Sequence, residues 1–209
     1  LVVAGDGGLD LLAVGQHTGV KTAKDYQAWI KANPKDARRG TAGAGGHTHF
    51  TGLQLGKALG VPLTAVPYRG NGPLVTDLLG GQVPAGVMTA GDILPHQKSG
   101  KVAVVGVFGA QRSPLLPDVP TFKEQGFSID TGDAWTGMWA PAKTPKATLE
   151  RVQNALKYTL ALPEVREILI HKAMLNPDFR SAEDMDKLQR AELVYWRPVI
   201  QATGFKPEQ

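Results

Sequence analysis

A glycine cluster interrupts the chain ahead of two histidines, in the order Thr41-Ala42-Gly43-Ala44-Gly45-Gly46-His47-Thr48-His49. The residues leading into it read as a strand, and 47–59 read as a helix with Phe50, Leu53 and Leu59 turned inward. Such a turn presents several backbone N–H groups at the positive end of a helix, which is where anions bind. Glycines let a ligand approach the backbone with no Cβ in the way. A tight turn that needs left-handed backbone angles and binds nothing is the competing reading, and spacing alone leaves both open. The turn lacks the Gly-Lys-Ser/Thr of a nucleoside-triphosphate loop. It is also a poor dinucleotide fingerprint, since Gly46 and His47 follow Gly43-x-Gly45 and no acidic residue stands near 62–66.

Other chemistries have less to draw on. His47 and His49 are two positions apart on a helix, about 200° around its axis, so they do not share a metal-binding face. His17, His96 and His171 have no matching carboxylates, and there is no Cys, so neither a metal centre nor a disulfide is expected. The serines, Ser99, Ser113, Ser128 and Ser181, stand in no nucleophile elbow. Asp77, Asp92, Asp118 and Glu124 read as surface or cap residues rather than as an acid–base pair. No catalysis and no cofactor are expected. Two further stretches, Val66-Pro67-Tyr68-Arg69-Gly70-Asn71-Gly72-Pro73 and Thr89-Ala90-Gly91, also join a strand end to a helix. Three strand ends facing one crevice would make a small-molecule site.

The elements that position these turns alternate. Strands are expected at Leu9–Val14, Leu63–Pro67, Ala85–Met88 and Val102–Phe108. Helices are expected after the Thr22 cap, with Asp25 as its partner, and at 47–59, Pro73–Leu79 and Ile93–Lys98. That alternation predicts an α/β fold with a mostly parallel sheet flanked by helices. A proline-rich connector, Arg112–Pro120, and a short helix at Thr121–Gln125 follow. A strand at Trp135–Ala140 leads to a helix capped by Thr144 with Pro145 in its first turn, a short helix opening at Pro163, and a long last helix capped by Ser181. The 209 residues carry 23 Lys+Arg against 19 Asp+Glu, with 42% hydrophobic residues, as in an ordinary globular chain. The basic residues are scattered, Arg38-Arg39 being the densest pair, so no nucleic-acid stripe is present. No apolar run reaches the length of a membrane span. The first residue is Leu1, which reads as a processed start or a fragment.

An ordered series of short motifs runs through the chain: Val66-Pro67-Tyr68-Arg69-Gly70, Asp77-Leu78-Leu79-Gly80-Gly81-Gln82-Val83, Leu94-Pro95, Arg112-Ser113-Pro114, Leu116-Pro117-Asp118-Val119-Pro120-Thr121, Trp135-x-Gly137-x-x-Ala140-Pro141 and Thr144-Pro145. The series resembles the Bug (TctC-like) family, the extracytoplasmic solute receptors of tripartite tricarboxylate transporters. The resemblance implies a type II periplasmic-binding-protein fold that closes on a small carboxylate and serves membrane permease subunits, with no nucleic-acid partner. It assigns 1–12 to a crossover strand, 13–131 to the second lobe and 132–209 to an incomplete C-terminal part of the first lobe. The expected hinges are Leu9–Val14 and Asp130–Trp135. Carried over by position, the ligand-binding residues are Gly45, Gly46, His47, Thr48, His49, at the family's histidine, and Thr89. The family usually has Asp-Asn where this chain has Met88-Thr89, and Asp where it has Pro84. Family members carry roughly a hundred further residues before Leu1. Their absence leaves Trp139, Leu149, Leu156, Tyr195 and Trp196 to be covered by dimerisation or by displacement of the C-terminal helices. An effector-sensing domain of a transcription regulator, a carboxylate sensor outside transport, or a transferase holding phosphate in the glycine turn are the alternative readings.

Overall fold

Alternating apolar runs and turn residues give the chain eight strands and seven α-helices among the residues described by the computed structural model, which are 2–6, 9–113, 116–129, 131 and 134–206. Pro114 and Leu115 of the expected connector, and Asp130, Gly132 and Asp133 of the expected hinge, lie outside them. The chain divides into two units. One comprises Leu1–Gly8 and Asp133–Ala202, the other Leu9–Gly132 and Thr203–Gln209.

The first unit holds β1 (Val2–Asp6), and the second begins with β2 (Asp10–Gly15) and α1 (Ala23–Ala32). Thr22 and Asp25 exchange the two hydrogen bonds of a capping box at the start of α1, and Asn33 ends it before Pro34. Then follow β3 (Arg38–Ala42), α2 (His47–Leu59), β4 (Thr64–Tyr68), α3 (Asn71–Leu79), β5 (Ala85–Thr89), α4 (Ala90–Lys98) and β6 (Val102–Val107). The sheet order is β4-β3-β5-β2-β6. β3 is parallel to β4 and β5, while β2 is antiparallel to β5 and β6. Four strands therefore share one direction and β2 runs against them between β5 and β6. The expected parallel neighbours of Val102–Val107 are replaced by this reversed strand. Every residue of β2 is buried, because helices cover both faces of the sheet. Leu12 and Val14 join Tyr26, Ile30, Leu55, Leu59, Val87 and Val105 in one core. Leu55 fills the place expected of Leu53, which is only half-buried.

Two local expectations are corrected. Thr121–Gln125 is not a helix but a hydrogen-bonded turn. Gln125 N–H donates to Thr121 O and Phe122 O, while the Glu124 carboxylate accepts from Thr121 N–H and from Arg112. Thr144 is not the cap of the next helix. That role falls to Pro145, whose extended ψ of 138° places the helix start one residue later.

In the first unit β7 (Trp135–Met138) and β8 (Asn176–Arg180) flank β1 antiparallel, in the order β7-β1-β8. Neither β1 nor β8 has the apolar alternation that flags a strand. α5 (Lys146–Ala161) and α6 (Pro163–His171) pack against β8, and α5 also against β1. α7 (Ala182–Thr203) is capped by Ser181, whose Oγ accepts from Asp184 N–H at 3.1 Å, and it buries Met185.

Candidate anion-binding edge

The parallel strands bring their carboxyl ends to one edge of the larger sheet. Ala42 pairs with Tyr68 in register, and Thr89 pairs with Asp10, so the turns after β3, β4 and β5 open side by side. Each feeds a helix: α2 from Gly46, α3 from Gly70 and α4 from Thr89. None of these three helix starts is capped by a side-chain hydrogen bond. Three positive helix ends without side-chain caps therefore face the same edge, with the Ala90 N–H of α4 bonded to Leu9 O.

The glycine turn needs its glycines for different reasons. Gly43 and Gly45 have φ of 96° and 76°, the left-handed region where a Cβ is strained. A Cβ on Gly45 would also stand 2.8 Å from the Phe205 ring. Gly46, at φ −84°, has room for a Cβ, whose nearest neighbour would be Ala42 O at 3.9 Å. The absence of a side chain there leaves the helix start bare. The backbone N–H groups of His47 and Thr48 precede the first bonds of α2, in which His49 and Phe50 donate to Gly46 O.

The side chains predicted for the site divide by task. His49 turns back onto the glycine turn. Its Nδ1 accepts from Gly45 N–H at 3.0 Å and its ring packs on Phe50 and Phe205, with centroids 5.2 and 5.3 Å away. Burial, and secondarily the Arg39 charge, hold its pKa below the ordinary 6.5, so it is a neutral latch on the turn. The Thr48 hydroxyl shares a 2.8 Å hydrogen bond with that of buried Thr41 on β3. His47 Nδ1 lies 2.7 Å from Asp10 Oδ2 and its Nε2 2.9 Å from Thr131 O. The Thr89 Oγ1 accepts from Asn71 Nδ2 at 2.8 Å and keeps its own proton to donate. Asn71 Nδ2 also reaches Asp92 Oδ2 at 2.7 Å. Tyr68 donates to Asp77 at 2.9 Å, and burial with that bond pushes its phenol up to about 12. Arg69 stands exposed in the turn between β4 and α3.

Beneath the turn Arg39 is fully buried. Its Nη2 donates to His49 O at 2.6 Å, while Nε and Nη1 have no partner. Desolvation lowers its pKa to about 10. Asp10, Arg39, Asn71, Thr131 and Phe205 are the parts of the site missed by sequence reasoning. Asp10, Thr131 and Phe205 meet it from far along the chain, whereas Asn71, next to Gly70 in a strand-to-helix turn, carried a local signal. Among the described residues no group of three His, Asp or Glu could hold a metal. The edge offers backbone N–H groups and the Thr48 and Thr89 hydroxyls, neutral donors of the kind an anion takes.

The family model for the tripartite tricarboxylate transporter family receptor matches residues 9–205. The chain belongs to that family. Its members are solute-binding receptors rather than enzymes. A relative from Agrobacterium vitis, a UPF0065 protein in the TAR-I ttuE-ttuC' intergenic region, is 33% identical over 186 residues, covering 88% of this chain and 54% of its own. The receptor chain thus spans about half the length of that curated relative. MatC from Rhodopseudomonas palustris with bound malate is 26% identical, with a TM-score of 0.78 over 92% of this chain and 66% of its own. An R. palustris protein with adipate shares the fold at a TM-score of 0.90, covering 99% of this receptor chain and 69% of its own, at 24% identity. Receptors of this family are periplasmic binding proteins, and no helix among the described residues is long and apolar enough to cross a membrane.

Proposed function

We propose that this chain is the carboxylate-holding part of a periplasmic receptor that captures a small dicarboxylate and hands it to the membrane permease of a tripartite tricarboxylate-type transporter. The three uncapped helix starts on one sheet edge carry this reading. They attract a negative group without a fixed cation in contact, so the ligand is held by neutral donors and releases readily to a permease. Gly46, His47 and Thr48 supply backbone N–H groups, while the Gly45 N–H holds the turn in shape through His49, and Thr89 beside Asn71 supplies the neighbouring polar wall. Asp10 and Asp92 each have one carboxylate oxygen engaged by a neighbour, His47 and Asn71 respectively. The malate and adipate of the two R. palustris structures set the ligand class to try first.

The test is calorimetry on the full-length protein with malate, adipate and their monocarboxylate counterparts. Binding of at least one dicarboxylate is expected. Thr48→Pro fits the first turn of α2 but deletes one inward N–H and the hydroxyl bonded to Thr41. It should weaken binding by about tenfold or more, roughly the 1.4 kcal/mol of one good hydrogen bond. Unchanged affinity would remove the turn from the site.

A further inference from the structure

His47 is the first residue of α2, directly after the glycine turn, and both of its ring nitrogens are engaged by groups of the protein. One faces Asp10, two residues into the second unit from where the chain enters at Leu9. The other faces Thr131, one residue before the Gly132 at which the main segment of that unit ends. Asp10 and Thr131 are 5% and 4% exposed. A carbonyl oxygen only accepts, so Nε2 carries a proton, and Nδ1 meets a carboxylate that rewards a proton there too. The entering strand is wired to the rest of the edge as well. Leu9 O accepts from Ala90 N–H, the first residue of α4, and Asp10 O accepts from Phe108 N–H.

We propose that His47 is a positioning residue that clasps the incoming and outgoing connections of this unit to the anion-holding turn, so that ligand capture at Gly45–Thr48 is transmitted to both. This rests on the carboxylate reading for its ligand-bound half only. The clasp itself exists without ligand, because Asp10, His47 and Thr131 already meet. A ligand that tightens the start of α2 then orders the two connections through one imidazole, with no contact of its own to either.

The experiment is hydrogen exchange on the full-length protein, with and without malate or adipate, beside calorimetry with the same acids. His47→Phe keeps the volume and loses both bonds. Without ligand it should exchange faster than wild type at residues 10–14 and at Thr131, while α1 is unchanged. With ligand it should keep protection at 46–50, lose the ligand-induced protection at both connections, and bind about tenfold more weakly. Asp10→Asn, which retains an acceptor for Nδ1–H but not the charge, should loosen 10–14 alone and serves if His47→Phe does not fold. Wild-type exchange at both connections in these variants overturns the clasp. So does wild-type ligand-induced protection in His47→Phe. A wild-type protein that binds neither acid overturns the carboxylate reading instead, and the ligand-free exchange still decides the clasp.

Discussion

At the residue scale the anion edge depends on one neutral histidine. His49 Nδ1 accepts from Gly45 N–H, and a proton on Nδ1 would turn that acceptor into a donor facing a donor. Its pKa is lowered in the fold, chiefly by burial and then by Arg39. The sign follows from linkage. A histidine held below its unfolded value of 6.5 contributes stability that is fully present above that value and is lost as pH falls below it toward the lowered folded pKa. The unfolded chain binds more protons across that window, so acid favours unfolding. Thermal denaturation from pH 7.5 to 5 should show the wild type losing midpoint below about 6.5. His49→Asn should lose less over the same range, because the substituted residue does not titrate. Equal slopes for the two proteins would mean that His49 titrates alike in the folded and unfolded chains, and the latch would then be misassigned.

At the scale of elements, α2 and β3 meet through a contact that admits no side chain. A Cβ on Gly52 would stand 2.0 Å from Arg39 Cζ, so the helix packs directly on a buried guanidinium. Gly52→Ala should destabilise by about 1–3 kcal/mol, as overpacked cores do. Arg39→Met removes both the obstruction and a buried cation with two unpartnered nitrogens. The double variant should therefore be more stable than Gly52→Ala alone, a coupling that denaturant titration of the four proteins measures directly. The same contact shows why elements were more legible than their packing. The start of α2 was written locally, in Gly46 followed by an apolar helical face, and its bounds agree with the expected 47–59. The Thr22–Asp25 cap was local too. Arg39 read as half of a basic surface pair, since burial depends on Gly52 and Tyr26, which adjacency in sequence does not reveal. β1 and β8 lack alternation and exist because they pair with each other, and the reversed direction of β2 is invisible in a run of apolar residues that suits either neighbour. Gly45, Gly46, His47, Thr48 and His49 are contiguous and read as one turn, but the Asp10 and Phe205 that touch it stand far away along the chain.

At the scale of the whole molecule the two units differ in how much apolar surface they bury. Nearly all of the core belongs to the second unit, where β2, β5 and β6 run through clusters at or near zero exposure. Among the described residues of the first unit only Leu160, Met174 and Met185 join the buried apolar set. Among the described residues, the large apolar side chains that stand exposed, from Met138 and Trp139 to Leu193 and Val194, all belong to the first unit. Local opening costs less where fewer buried contacts are broken, so protection should divide along the same line. Native-state hydrogen exchange of this 209-residue chain should find the amides of β2 and β5 about a hundredfold or more slower than those in the middle of α5 and α7. Sub-denaturing urea should release α5 and α7 first, with β2 and β5 exchanging only through global unfolding. A single shared exchange isotherm for β2, β5, α5 and α7 would show instead that the two units unfold as one. The stability of the anion edge would then depend on the first unit as much as on the core directly beneath it.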